Sequence, residues 1–125
     1  MGNIHKKQHI SSGFTLVEIL VVIAVIAVLV TFAALAVGNW RKSTAETEVK
    51  NDLINLNNAM ETARNFSVGY PTSIPSTFTE SSNVTVTYEG GSATGYCIEG
   101  ASKAVLSVVY HIEAPTDSEP QSGSC

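Results

Sequence analysis

Residues 13–37 read GFTLVEILVVIAVIAVLVTFAALAV, and this stretch decides the fold of the chain. From Ile19 to Val37 the run is apolar apart from Thr31. A helix rises ~1.5 Å per residue, so these nineteen residues cover roughly 28 Å, close to the ~30 Å hydrocarbon thickness of a bilayer. The run therefore predicts a membrane-spanning helix, and it excludes a single compact soluble domain.

An ordinary cleaved secretory signal is the alternative interpretation of this run. Basic residues precede it, and Ala34-Leu35-Ala36 resembles a signal-peptidase site. The run is longer than the typical apolar region of about 7–15 residues, however, and Glu18 stands at its entrance, where a carboxylate is costly. We therefore expect a retained span rather than a cleaved signal.

The orientation of the span does not follow from charge, because Lys6 and Lys7 before it are matched by Arg41 and Lys42 after it. The cysteines are more informative. The chain has two, and both follow the span, which favours an oxidising compartment on that side.

Beyond the span, apolar residues recur every three to five positions, as on one face of a helix. This stripe comprises Trp40, Ala45, Val49, Leu53, Leu56, Met60, Ala63 and Phe66. Proline is absent between Phe14 and Ser67, so the sequence predicts one helix of about fifty residues, apolar all round in its first half and amphipathic in its second. We expect the stripe to pack beneath the following domain rather than to line a ligand groove.

The remainder of the chain has the pattern of a small β-domain. Residues 67–71 end the helix, and period-two alternation then predicts three antiparallel strands, with a turn at residues 89–92 and an irregular tail from Glu113 to Cys125. The predicted strands are Val84–Tyr88, Gly95–Glu99 and Ala104–Ile112. The predicted fold class is α+β, one long N-terminal helix packed on a three-stranded sheet.

The charge of this distal region disfavours one class of partner. Residues 67–125 contain one lysine against six acidic residues. Non-specific nucleic-acid binding depends on basic residues that neutralise phosphates, so direct nucleic-acid binding by this region is disfavoured.

No catalytic constellation stands out, and we predict neither an enzyme nor a cofactor. His111 is the one histidine outside the first thirteen residues, and we interpret it as structural. Asp117, Ser118 and Glu119 carry oxygen atoms that suit Ca²⁺, but they lack a regular ligand spacing. No metal site is therefore predicted.

The segment Gly13-Phe14-Thr15-Leu16-Val17-Glu18 stands between a short basic leader and the apolar helix. This arrangement resembles the N-terminus of a type IV pilin or type II pseudopilin precursor, and the layout of the remaining chain is similar to that of a small pilin subunit. The resemblance implies a structural subunit of a pilus or pilus-like filament. Such a subunit is a single-pass membrane protein before assembly and part of a cell-surface filament afterwards.

The resemblance also implies roles for individual residues. A membrane-embedded prepilin peptidase cuts after the residue matching Gly13 and methylates the new amino group of Phe14. A carboxylate facing hydrocarbon costs several kcal/mol, and the family implies that Glu18 pairs with the amino group of Phe14 from a neighbouring subunit. Thr15 is expected to cap the helix. The implied partners are other copies or other pilins, the peptidase, and an inner-membrane assembly platform with its ATPase.

The same resemblance divides the chain into a leader at 1–13, a membrane-spanning or filament-core half-helix at 14–38, an amphipathic half-helix at 39–66 and a β-rich head at 67–125. Many pilins close the C-terminal segment with cysteines, which here implies a Cys97–Cys125 disulfide worth roughly 3–4 kcal/mol in the chain-entropy model. Free or metal-bound thiols remain the alternative.

Two observations keep other functions open. Many major pilins carry a proline in the apolar half of the helix, and this chain has none there. A single-span anchor whose head binds a ligand without polymerising is the alternative to a filament subunit, as is a pseudopilin of a type II secretion system. Adhesion, motility, DNA uptake and secretion are not distinguished by these residues.

Overall fold

The computed structural model describes residues 1–2 and 12–125. Lys6 and Lys7, which figure in the predictions above, lie outside the described residues. The chain divides into two compact units, Met1–Ala36 and Val37–Cys125, and each is described by itself.

A single helix, α1, runs from Leu16 to Asn65 over fifty residues, as the sequence predicts. It begins immediately after Thr15 and contains no proline. At its C-terminal end the bonds from Phe66 N–H to the Ala63 carbonyl (3.2 Å) and from Ser67 N–H to the Arg64 carbonyl (3.0 Å) tighten the last turn.

Among the described residues the sheet has four strands, so the prediction of three is wrong. They are β1 (Val84–Ser92), β2 (Gly95–Ser102), β3 (Val109–Ala114) and β4 (Gln121–Ser122), antiparallel and in the spatial order β1-β2-β3-β4. The fourth strand comes from the tail that we expected to be irregular. It forms because the outer edge of β3 offers unpaired backbone groups, and two residues of the tail pair with Tyr110 and His111.

The strand boundaries also differ from the predictions. β1 continues through the expected turn at 89–92, because a register shift between Tyr88 and Gly90 absorbs one residue as a bulge, and Gly90 supplies the required positive φ of 129°. The turn lies instead at residues 93–94. β3 begins at Val109 rather than at Ala104, because residues 103–108 form a loop.

The core of the second unit lies between α1 and the sheet. The helix contributes Ala45, Val49, Leu53, Leu56 and Met60, and the sheet and its loops contribute chiefly Val84, Val86, Tyr96, Ile98, Val108 and Ile112. Gly100 on β2 permits this close packing, since a Cβ there would lie 3.0 Å from Val49 Cγ1 and 3.1 Å from Leu53 Cγ. The predicted stripe therefore forms the core from Ala45 to Met60, whereas Ala63 is half-buried outside the core and the two ends, Trp40 and Phe66, are exposed.

Polar contacts fasten the long loop that joins α1 to β1. The buried Asp52 carboxylate on α1 accepts hydrogen bonds from Ser81 N–H (2.7 Å) and Ser81 Oγ (2.8 Å). The Glu80 carboxylate accepts the Val86 N–H on the outer edge of β1 at 2.9 Å. These contacts place the loop on the helix and occupy part of an otherwise open sheet edge.

Candidate functional site

The first candidate site is the N-terminus of α1, where Thr15 and Glu18 form a reciprocal pair. Glu18 N–H donates to Thr15 Oγ1 at 3.2 Å, and Glu18 Oε2 accepts from Thr15 N–H at 2.7 Å and from Thr15 Oγ1 at 3.0 Å. This is a capping box, in which two residues satisfy backbone donors that a helix start leaves without a partner. The helix dipole also favours a carboxylate in this first turn.

The backbone ahead of the cap is accessible. Residues 12–15 are not helical, and apart from its two chain neighbours no described residue comes within 4 Å of the position that a Cβ of Gly13 would take. The Phe14 side chain is exposed. The Gly13–Phe14 peptide bond therefore lies in open, non-helical backbone one residue before the cap.

The surface that follows the cap is apolar and uncovered. Every side chain from Ser12 to Thr44 is exposed, including those of the whole Ile19–Val37 run. By length and composition, α1 is the one helix within the described residues that is able to cross a membrane. Such a surface is stable in lipid or against other apolar helices, and not in water.

The second candidate site is the closed C-terminal segment. The Sγ atoms of Cys97 on β2 and Cys125 lie at disulfide distance, 1.98 Å apart. Further contacts hold the same segment: Gly123 N–H donates to the Val109 carbonyl at 2.9 Å, and Cys125 N–H donates to Glu99 Oε2 at 3.3 Å. The tail is therefore attached at several points and not by the cysteine pair alone.

The remaining sequence candidates have structural contacts. His111 Nδ1 lies 3.0 Å from the Gly123 carbonyl, so the ring helps to hold β4. Asp117 Oδ2 accepts the Glu113 N–H at 3.2 Å in the turn after β3. Within residues 12–125 no group of three or more His, Cys, Asp or Glu side chains is placed to hold a metal ion.

Two tyrosines at the helix–sheet junction are coupled to α1 and were not singled out by sequence reasoning. The Tyr70 hydroxyl donates to Glu61 Oε1 at 2.7 Å and accepts from Arg64 Nη1 at 2.9 Å. The hydrogen bond to Glu61 is the main reason that the pKa of Tyr70 is raised. Burial of Tyr96, whose hydroxyl donates to Asn57 Oδ1, raises the pKa of that hydroxyl.

Sequence reasoning also missed that Glu18 is part of the cap. The signal was present, because Thr15-Leu16-Val17-Glu18 has the Thr-x-x-Glu spacing of a capping box directly before an apolar run. The contacts of Tyr96 and Asp52 had no such signal, since their partners Asn57 and Ser81 are distant in the chain.

Comparison with known proteins adds an independent finding about the N-terminal region. Residues 9–34 match the family model for the prokaryotic N-terminal methylation motif. No curated protein matches the chain. The matched residues contain Gly13, Phe14, the capping box and most of the apolar run. At residues 9–34 the chain therefore carries the signature of type IV pilins and pseudopilins, on a pilin-like α+β fold of one long N-terminal helix and a small antiparallel sheet.

Proposed function

We propose that this chain is a structural subunit of a type IV pilus or pilus-like filament. In this proposal the leader is removed after Gly13, the amino group of Phe14 is methylated, and the mature chain polymerises through its N-terminal helix. The observation that carries the proposal is the methylation motif at 9–34, which lies directly on a half-helix whose apolar side chains are all exposed.

The exposed half-helix supports polymerisation on physical grounds. The run from Ile19 to Val37 buries none of its side chains in the part of the chain that the structure describes, so lipid or other helices must cover it. Lipid covers it while the subunit is anchored, and the same surfaces of neighbouring subunits cover it in a filament. The partners are therefore other copies or other pilins, together with a prepilin peptidase and an assembly platform with its ATPase.

Glu18 favours a filament subunit over a simple anchor. An anchor needs only an apolar span, and a carboxylate at its entrance opposes insertion. In a filament the carboxylate has a purpose, because the amino group of Phe14 from the next subunit neutralises it and sets the axial register. The methylation motif is common to pilins and secretion pseudopilins, and the proposal covers both kinds of filament.

The proposal divides the chain into four functional segments. Residues 1–13 are the leader, 14–38 form the filament core, 39–66 connect the core to the head, and 67–125 form the exposed acidic head. The Cys97–Cys125 disulfide stabilises this head after export.

The mature N-terminus and the assembled state together test the proposal. Mass mapping of the chain from its native membrane is expected to identify Phe14, methylated, as the first residue. Immunogold electron microscopy is expected to place the chain along filaments. A mature start at Val37 instead indicates an ordinary signal peptide, and a Phe14 start without any filament indicates a processed anchor; either result contradicts the proposal.

A further inference from the structure

An exposed apolar patch lies at the beginning of the second unit. Trp40 on α1 is 70% exposed, and Leu106 in the loop between β2 and β3 is 85% exposed. Ala104 and Val105, which precede Leu106 in the same loop, line an open hollow of about 260 Å³ together with Trp40. Ligand pockets usually exceed about 300 Å³, so the hollow is small for a ligand. We call Trp40, Ala104, Val105 and Leu106 the Trp40 patch.

The loop holds Leu106 outward by defined hydrogen bonds. Ser102 Oγ accepts the N–H groups of Ala104 (3.2 Å) and Val105 (3.1 Å), and Val108 N–H donates to the Val105 carbonyl at 2.9 Å. Val105 packs against the core as a result, and Val108 is buried. An exposed leucine forgoes about 1.5–3 kcal/mol of burial, which a surface that covers Leu106 would supply.

The position of Trp40 in the chain points to the covering surface. The apolar run ends at Val37, and Trp40 follows three residues later on the same helix, a rise of about 4.5 Å. Tryptophan is enriched at membrane–water interfaces, where its ring lies at the headgroup level. Trp40 is therefore placed at the headgroup layer of the membrane that the helix crosses.

Basic and acidic side chains both lie near the patch. Arg41 lines the hollow itself, and Lys42 follows it on α1. On the loop, Lys103 is half exposed and precedes the patch residues. Long basic side chains of this kind place their stems in the apolar layer and their charges among phosphates. Acidic side chains are also close, since Glu46 lies 4.0 Å from Lys42, Glu80 lies 3.8 Å from Lys103 and Glu48 lines the hollow, so apolar contact rather than net charge dominates.

We propose that the Trp40 patch is a membrane-docking surface, with Leu106 inserted into the headgroup and upper acyl region of the bilayer while the subunit is still anchored. The head then has two attachments to the bilayer, the helix and the β2–β3 loop. The role is separate from polymerisation, because it concerns the subunit before assembly.

The single tryptophan of the chain makes the proposal directly measurable. The full chain is reconstituted in phosphatidylcholine vesicles with brominated acyl chains, which quench indoles that reach the hydrocarbon. In the variant Trp40→Phe/Leu106→Trp, the sole indole reports on the loop. In the matched control Trp40→Phe/Val68→Trp, it reports on a fully exposed site after the end of α1. Both sites are exposed, so the fold is expected to tolerate either change.

We expect the fluorescence emission of the indole at position 106 to be blue-shifted and to be quenched about as much as that of Trp40 in the parent. The emission of the indole at position 68 is expected to show neither the shift nor the quenching. An unquenched indole at 106 overturns the proposal. Equal quenching at 106 and 68 overturns it as well, because the head then lies on the lipid without a specific surface. A blue shift at 106 that grows with protein concentration, without quenching, means that a second copy covers the patch instead of lipid.

A measurement without mutation provides a second readout. Hydroxyl-radical footprinting of the parent chain in vesicles is expected to show less oxidation at Leu106 than at Val68. In the parent solubilised without lipid, the two side chains are expected to be oxidised alike, since both are exposed. Equal oxidation in vesicles contradicts the docking of Leu106.

Discussion

At the scale of single residues, Glu18 has two separable properties, its hydrogen bonds and its charge. Its side chain accepts two hydrogen bonds from Thr15, so it already contributes to the start of α1 within one chain. The proposed contact with Phe14 of a neighbouring subunit needs the negative charge in addition. A glutamine side chain also completes a capping box, but it carries no charge.

Glu18→Gln and Glu18→Ala are therefore expected to separate the two roles. We expect both variants to insert and to be cleaved after Gly13, and both to lose most filament assembly when they are the sole subunit. Filaments recovered by shearing, relative to the membrane-bound pool, measure this loss. If Glu18→Gln assembles like the parent while Glu18→Ala fails, the residue acts through its cap, and the proposed charge pairing is wrong.

Because of Tyr70 and Tyr96, the stability of the head is predicted to fall at alkaline pH. Both hydroxyls have a raised pKa in the folded chain, Tyr70 mainly through its hydrogen bond to Glu61 and Tyr96 mainly through burial. In the unfolded chain tyrosine ionises near its ordinary pKa of about 10. As the pH rises, these tyrosines therefore lose their protons in the unfolded state first, and this lowers the free energy of unfolding above about pH 10. Below that pH the two groups do not change the free energy of unfolding.

The predicted fall is at most about 1.4 kcal/mol per pH unit for each tyrosine. Urea denaturation of the detergent-solubilised chain between pH 8 and pH 11 measures it. Tyr96→Phe is expected to lower stability at pH 8, because the bond to Asn57 is lost, and to make the alkaline fall shallower. An unchanged slope in this variant contradicts the assignment to Tyr96.

At the scale of secondary-structure elements, α1 changes its environment along its length. Its first half is apolar and exposed on every side, whereas its second half buries one face against the sheet. Leu53 and Ile54 are adjacent on this second half and have similar side chains. Leu53 is fully buried and Ile54 is 40% exposed, so the pair tests which face is core.

Leu53→Ala is expected to lower the free energy of unfolding by about 2–5 kcal/mol, a large part of what a small domain possesses. Ile54→Ala is expected to cost much less, since its side chain is partly in water already. Thermal or urea unfolding of the two variants in the same detergent provides the comparison. Equal losses contradict the assignment of the stripe to the core and favour a subunit contact at Ile54.

At the scale of the whole molecule, closure of the tail completes the sheet. β4 has two residues, and a strand so short is marginal without further attachment. The Cys97–Cys125 pair, the His111–Gly123 contact and the bond from Gly123 to Val109 supply that attachment. Together they join the end of the chain to the central strands.

Replacing both cysteines by alanine is therefore expected to loosen the tail before the rest of the head. In the chain-entropy model the loss of stability is about 3–4 kcal/mol. Hydrogen exchange is expected to accelerate first at Gly123, and at the Ile112 and Ile98 amides only near global unfolding. If non-reducing peptide mapping finds both thiols free in the native protein, or if the double variant is as stable as the parent, the disulfide does not stabilise the head.

The sequence by itself determined the features that depend on neighbouring residues. The apolar run, the methylation motif and the absence of proline predict a continuous helix whose first half suits a membrane, because length, hydropathy and period are local properties. The core face of the second half followed from the same period, through Val49, Leu53 and Leu56. The existence of a β-domain followed from the alternation of apolar and polar residues, but the boundaries of its strands did not.

Only the tertiary structure decided the features that depend on distant partners. The fourth strand exists because the edge of β3 was available, and nothing in Gln121–Ser122 alone signals pairing. Asp52 is buried on the core face because Ser81, twenty-nine residues away, satisfies its carboxylate. In each case the free energy of a long-range hydrogen bond or strand pair outweighs the conformational preference of the local sequence. Local sequence patterns therefore do not predict such a contact.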